Sequence, residues 1–212
     1  MAEGLRERKK RQTKQRISDI ATGLFLEHGF VTVTIAEIAD AADVSVNTVY
    51  NYFPAKEDLF LDRGLEMTDR LSRWVRGRRA GESAADAVLR ELRTLVESVS
   101  PTVGLFEGYA DFMKVITDSH ALRSRLWALQ QESRQDLEAT LREEAGADPS
   151  HLPELVAGQI SWAYGTVFGW IGAEMVKRRP PREVSREALV LLDEMEELLG
   201  EQVLNYGTRA TA

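Results

Sequence analysis

From Ile17 onward, apolar residues fall at Ile17, Ile20, Ala21, Leu24 and Phe25. That spacing lays them on one face of an amphipathic helix, and Gly29 is placed to stop it. Thr34 is followed three residues later by Glu37, the arrangement of a capping box, and Ile35, Ile38 and Ala39 give a short second helix. Ala41-Ala42-Asp43 reads as a turn, and Ser45 can cap a third helix running to about Phe53. Three helices in about forty residues, the last two joined tightly, are the organisation of a helix-turn-helix unit.

Helical periodicity continues to the end. Residues 54–79 read as one longer helix kept partly buried by Leu59, Leu61, Leu65, Leu71 and Trp74, with a break at Gly77 and Gly81. Further helical tracts cover 83–99 and 102–116, divided by the cap-plus-proline signal Ser100-Pro101, and then 119–146 and 153–178. After Pro180-Pro181 a last helix is expected over 182–204, with Leu189, Leu192, Met195, Leu199 and Val203 at helical spacing. The pattern predicts an all-α chain of about nine helices, divided into residues 1–56 and 57–212.

One tract is ambiguous. Leu155 to Ala173 is nineteen residues without a charge and contains Gly165-x-x-x-Gly169, a length and motif compatible with a membrane span. The alternative is a helix buried within a soluble assembly. Gly158, Ser161, Gly165, Gly169 and Gly172 form a narrow small-residue stripe that lets another backbone approach closely. Gln159, Ser161 and Thr166 are costly in lipid, so no membrane partner is expected. Mutual burial of this helix and the last one across a two-fold axis predicts a homodimer. Gly158, Ser161, Gly165, Gly169, Gly172, Leu192, Met195 and Leu199 are its candidate interface.

Charge sharpens the picture. The chain of 212 residues has a formal net charge of −7 and no cysteine, which excludes disulfides, thiolate metal sites and Cys nucleophiles. Residues 1–16 hold seven Lys/Arg against Glu3 and Glu7, whereas no Lys or Arg occurs from Ile17 to Ala55. A basic arm on an acidic body confines polyanion binding to one end, unless the arm is simply a solvated, disordered tail. No apolar run follows the arm, so no secretory signal is expected, and the absence of cysteine fits the cytoplasm.

At 100° per residue, Val49 and Phe53 share the core side of the third helix, and Asn47, Tyr50 and Asn51 cluster opposite. Thr48 and Tyr52 form a hydroxyl strip between them. Asn amides can pair with adenine edges and hydroxyls can hold phosphates, although a merely polar surface helix has the same pattern. The run Thr34-x-x-x-Ile38-Ala39-x-x-Ala42-x-Val44-Ser45-x-x-Thr48-x-Tyr50-x-Tyr52-Phe53-x-x-Lys56-Glu57-x-Leu59 resembles the DNA-binding signature of TetR-family transcriptional regulators. The resemblance implies that Val46, Asn47, Tyr50 and Asn51 face bases of double-stranded DNA, with Thr34, Thr48, Tyr52 and Lys56 on phosphates. Asp43 stands where that family usually has Gly, and Asn47 replaces a frequent Gly.

A TetR-like body further implies an effector cavity in the C-terminal helices. Candidate contacts are Phe106, Tyr109, Met113, Trp127, Gln131, Trp162, Thr166 and Trp170, suited to a small hydrophobic or amphipathic ligand, though most such residues simply build cores. The wording VSVNTVYNYFPAKEDLF is also similar to regulators of the mycofactocin branch, which implies an acyl-CoA-like ligand. Arg73, Arg76, Arg78 and Arg79 are then either phosphate contacts or a solvated helix end. The three histidines lack metal-ligand spacing, and no phosphate loop, dinucleotide fingerprint or nucleophile elbow occurs, so neither an enzyme nor a metal or cofactor is expected. The expected function is a ligand-responsive regulator, a repressor released from a palindromic operator by its effector. An activator, and a small-molecule-binding dimer whose helix-turn-helix serves protein interaction, are the alternatives.

Overall fold

The computed structural model describes residues 4–62, 68–146 and 149–210. Eleven α-helices run through them: α1 Leu5–His28, α2 Ile35–Ala41, α3 Val46–Tyr52, α4 Lys56–Phe60, α5 Arg70–Arg76, α6 Ala84–Glu97, α7 Tyr109–Asp118, α8 His120–Ala145, α9 Leu152–Val176, α10 Pro181–Leu198 and α11 Glu201–Leu204. Among the described residues there is no strand. The chain divides into two compact units, Met1–Leu65 with Asp111–Trp127, and Glu66–Ala110 with Ala128–Ala212. Residues 111–127 therefore join the N-terminal unit, a grouping that the division at residue 56 does not contain.

In the first unit, α1 packs on α2 and α4, and α2 packs on α3. Ile17, Ala21, Phe25, Ile38, Ala39, Val49, Phe53 and Leu59 are buried between them. Gly29 adopts φ +83 and donates its N–H to the Phe25 carbonyl, so α1 ends where a residue without a Cβ permits the turn. The capping box at α2 is complete. The Thr34 N–H and hydroxyl both donate to a Glu37 carboxylate oxygen (2.7 and 2.8 Å), and the Glu37 N–H donates to Thr34 Oγ1 (3.2 Å). Asp43 holds the left-handed conformation, φ +50, that the turn requires.

The second unit is arranged around α6, which packs on α5, α9, α10 and α11 and buries Ala84, Val88, Leu92 and Val96. Ser83 and Asp86 form a second capping box at its start. Three backbone hydrogen bonds fasten the C-terminal segment to the approach to α6: Gly81 N–H to the Arg209 carbonyl, Arg209 N–H to that of Glu82, and Ala84 N–H to that of Tyr206. Buried Arg78 donates to both carboxylate oxygens of Glu144, at 3.0 and 2.7 Å, and to the carbonyls of Val75 and Gly207.

Several expectations shift. The basic arm is helical within α1 from Leu5, not a separate tail. The single helix expected over 54–79 is α4, capped at Leu61, and α5, with residues 63–67 outside the described residues. Ser100-Pro101 opens a three-residue 3-10 turn that ends on left-handed Gly104, and α7 starts only at Tyr109. The last helix stops at Leu198, because Leu199 and Gly200 are extended, and α11 follows as one turn. Among the described residues these breaks turn about nine expected helices into eleven. Among the described residues no helix is long and apolar enough to cross a membrane, although α9 spans the uncharged tract.

Gly172 has a different use from the one its stripe suggests. It is buried, and a Cβ built there would lie 2.6 Å from the hydroxyl of Tyr109 in the same chain. The ring of Tyr109 also rests on Gly104, so two glycines make room for one aromatic side chain. Leu192, Met195 and Leu199 are likewise buried within the chain, so in this conformation they are core and not a free seam.

Gly172→Ala is expected to lower unfolding free energy by about 1–3 kcal/mol, the range for overpacking a fitted site. Adding Tyr109→Phe should restore most of that loss, since the next ring atom lies 3.4 Å from the new methyl. Denaturant unfolding of the single and double variants reads the coupling, and a loss indifferent to Tyr109→Phe would refute the contact. At α2, hydrogen bonds from the Thr34 N–H and then its hydroxyl hold the Glu37 carboxyl below its ordinary value of 4.5. The folded state thus binds that proton less readily than the unfolded chain, so the stabilisation is complete above about 4.5 and fades as pH falls through the depressed value. The stability gap between wild type and Glu37→Gln should be open at neutral pH and close on acidification, as read by unfolding across that range.

Candidate nucleic-acid interface and effector residues

α3 has only two turns, so its register depends on what it buries. Val49 and Phe53 are 0% and 1% exposed and take the inward side. Val46, Asn47, Tyr50 and Asn51 consequently stand exposed together, and Thr48 and Tyr52 are half-buried at the flank. Ser45 caps the helix by accepting the Thr48 N–H at 3.0 Å, and its hydroxyl lies 2.8 Å from Thr48 Oγ1. The amide face is therefore free to meet another molecule, whereas the Thr48 hydroxyl already has a partner.

Arg6, Lys9, Lys10 and Thr13 of α1 share a surface hollow of about 340 Å³ with Tyr52. The three cations make no ion pair among the described residues and are exposed. With Thr13 they fall at offsets of three, four and seven residues from Arg6, the signal in the sequence that continues the helical face below Ile17. Lys14 is not part of this cationic surface, since its ammonium pairs with buried Asp62 at 2.6 Å and lies 5.5 Å from the Phe53 ring centroid.

Besides Thr48, two more expected phosphate contacts sit in intramolecular hydrogen bonds. The Thr34 hydroxyl belongs to the capping box, and half-buried Lys56 donates its ammonium to the Phe30 carbonyl, 4.5 Å from the Phe30 ring centroid. Burial pulls the Lys56 ammonium below the usual lysine range, while the charges of Glu57 and Glu37 act the other way.

The candidate effector residues scatter. Tyr109 is buried with Phe106 edge-on at 5.5 Å, and Met113, Gln131, Thr166 and Trp170 are half-buried. Trp127 and Trp162 are 65% and 50% exposed, the least enclosed of the set. In the second unit, Ala85, Val88, Leu92, Ile160, Tyr164 and Leu199 surround a gap of about 10 Å³, room for little more than a water. The arginines of residues 73–79 have carboxylate neighbours in the chain: Arg73 with Asp69, Arg76 with Glu143, Arg78 with Glu144 and Arg79 with Glu82.

Of the expected interface glycines, Gly158, Gly165 and Gly169 have open space where a Cβ would stand. They accompany exposed Leu155, Trp162 and Val176 along α9. Ser161 Oγ is buried instead.

Comparison with known proteins places this geometry. Residues 17–62 match the family model described as bacterial regulatory proteins, TetR family. The transcriptional regulator TcmR of Streptomyces glaucescens is 30% identical over 96 residues, 45% of this chain and 42% of TcmR. LuxR of Vibrio harveyi is 48% identical over 46 residues, 22% of each chain. The mycofactocin biosynthesis regulator MftR of Mycobacterium tuberculosis is 39% identical over 49 residues, 23% of this chain and 25% of MftR. The chain thus spans less than half the length of the curated relatives it matches. Among solved structures, NalD, the secondary repressor of a multidrug efflux pump in Pseudomonas aeruginosa, superposes with a TM-score of 0.57 at 20% identity, over 90% of this chain and 98% of NalD. SmeT, solved as a complex with triclosan, gives 0.56 at 19% identity over 95% and 98%. Another structure of SmeT is described as that of the repressor of a Stenotrophomonas maltophilia multidrug efflux pump. Residues 17–62 accordingly match the model of the TetR family of bacterial regulatory proteins, and the chain as a whole shares the fold of NalD and SmeT.

Proposed function

We propose that the protein is a homodimeric, effector-responsive transcriptional repressor that binds a palindromic operator in the cytoplasm. The observation that carries this reading is α3, with Asn47, Tyr50 and Asn51 presented outward over a buried Val49 and Phe53. Val46 and the two amides read base edges in the major groove. Arg6, Lys9 and Lys10, beside Tyr52, supply the phosphate contacts that a reader without Lys or Arg lacks. Lys56 acts by position, bonded to Phe30, more than as a phosphate cation.

The dimer face in this proposal is the exposed strip of α9, Leu155, Trp162, Gly165, Gly169 and Val176, with Val190 and Leu198 of α10. Apolar surface of that kind, with glycines open to a second backbone, suits isologous pairing. SmeT was solved as a complex with triclosan, and in this proposal an effector acts on the C-terminal helices here. A ligand can release DNA only by its differential affinity for the two states.

Selection from random duplexes at low salt tests the reading directly, since the absence of any enriched motif would refute it. Within an enriched motif, Asn51→Ala is expected to relax preference at one base position, costing about 1–3 kcal/mol of discrimination. Lys9→Ala and Lys10→Ala should instead weaken all sequences alike and reduce the salt slope by about one unit each, with Lys56→Ala leaving the slope unchanged. For the dimer, Trp162→Glu is expected to yield monomers in sedimentation equilibrium under conditions where the wild type is dimeric. Unchanged association would move the interface elsewhere.

A further inference from the structure

Two arginines of the second unit, Arg70 and Arg78, are equally buried at 9% exposure, and they resolve their charge in different ways. Arg78 holds a carboxylate, with both Glu144 oxygens on its guanidinium. Arg70, the first residue of α5, has no ion pair among the described residues. Its Nη1 donates to the Thr102 carbonyl at 3.2 Å and to the Tyr164 hydroxyl at 3.3 Å, and its guanidinium carbon lies 5.8 Å from the Trp74 ring centroid. Nε and Nη2 make no hydrogen bond among the described residues, so one edge of the guanidinium fork is uncommitted.

Burying a cation against neutral acceptors alone is unfavourable unless an anion completes it. The carboxylate two residues further along, on the Ser72 side chain, is Asp136, and it takes the Ser72 hydroxyl. A second orphan lies on α9: Ser161 Oγ is buried and has no hydrogen-bond partner. Three residues later comes Tyr164, whose ring stacks on Phe168 at 6.1 Å and meets Trp74 edge-on at 6.1 Å. A cation with a free fork edge, an unpartnered hydroxyl and aromatic walls occur together in this one unit.

We propose that Arg70 seats a carboxylate on the effector, the Trp74, Tyr164 and Phe168 rings packing against an apolar body once the helices around the gap of about 10 Å³ beside Tyr164 part to admit it. This rests on the effector-responsive reading given above and names the chemical class of the effector. The planar Nε/Nη2 edge matches the two oxygens of a carboxylate, and one unpaired cation balances a single negative charge. The arginines first considered for a phosphate-bearing ligand have carboxylate neighbours already, so the uncommitted cation points to a smaller acid.

Isothermal titration of the full chain with decanoate and phenylacetate, beside decanol and phenylethanol, tests the seat. The carboxylates are expected to bind at least about tenfold more tightly than the matching alcohols, the size of one charge-assisted hydrogen bond. Arg70→Met should abolish that preference while unfolding, without ligand, at the same temperature as the wild type or higher. Equal binding of acids and alcohols by the wild type, or an acid preference that survives Arg70→Met, would overturn the proposal. A ligand-free Arg70→Met chain that melts well below the wild type would do so too, by making Arg70 a structural tie. Duplex selection run in parallel separates the two readings. A chain that prefers acids yet enriches no duplex refutes the regulator and leaves the seat standing, whereas enrichment without acid preference refutes the seat alone.

Discussion

The rotation of α3 depends on the burial of two side chains. α3 is seven residues long, far below the length at which a helix persists alone in water, so neither its existence nor its rotation is set by propensity. Val49 and Phe53 supply both. They draw one side of the helix against the domain core, and the period of 3.6 residues then dictates which side chains face out. Ser45 and the left-handed Asp43 fix where the helix begins, and Ala39 and Ala42 keep its approach to α2 close. The exposed amides are thus a consequence of core packing.

That arrangement separates tasks that a basic recognition helix would combine. No cation lies between Ile17 and Ala55, so α3 has little non-specific attraction of its own to a polyanion. The cations stand one element away, on the first turns of α1, and share a hollow with Tyr52. Since α1 is one continuous helix, its buried half, with Ile17, Ala21 and Phe25 in the core, orients its charged half. The acidic remainder of the chain opposes binding elsewhere on its surface.

Local signals were legible in the sequence, and partner choice was not. Thr34 with Glu37, Ser45, Gly29 and Gly146 mark ends that need only a few neighbouring residues to act, and each stands at a helix boundary. Ser100-Pro101 is an equally good start signal, yet only a 3-10 turn grows from it before the left-handed glycines at 104 and 108. Gly172 shows the harder limit. Its spacing with Gly165 and Gly169 is the same whether a second chain or Tyr109 occupies the space beside it, and only the fold tells these apart. The stripe through Leu192, Met195 and Leu199 fails for the same reason, because periodicity marks a buried face without saying who buries it. Lys56 shows a third limit: a lysine beside a reader suggests phosphate, but its flexible stem returned the ammonium to a backbone carbonyl.

The two buried arginines extend that point to chemistry. Nothing in their neighbourhoods of sequence distinguishes Arg70 from Arg78, since both lie in arginine-rich stretches around Trp74. The difference is made by residues far along the chain, Glu144 for one and Thr102 with Tyr164 for the other. A paired arginine such as Arg78 ties helices together whatever the ligand state. An unpaired one leaves its unit with electrostatic work undone, and a ligand that completes it gains affinity only for arrangements that keep Arg70 in place. That selectivity between arrangements is what an effector needs if binding is to shift a conformational equilibrium and not merely occur. In the proposed reading, the seat of the anion and the capacity to switch are one feature, located where α5 begins.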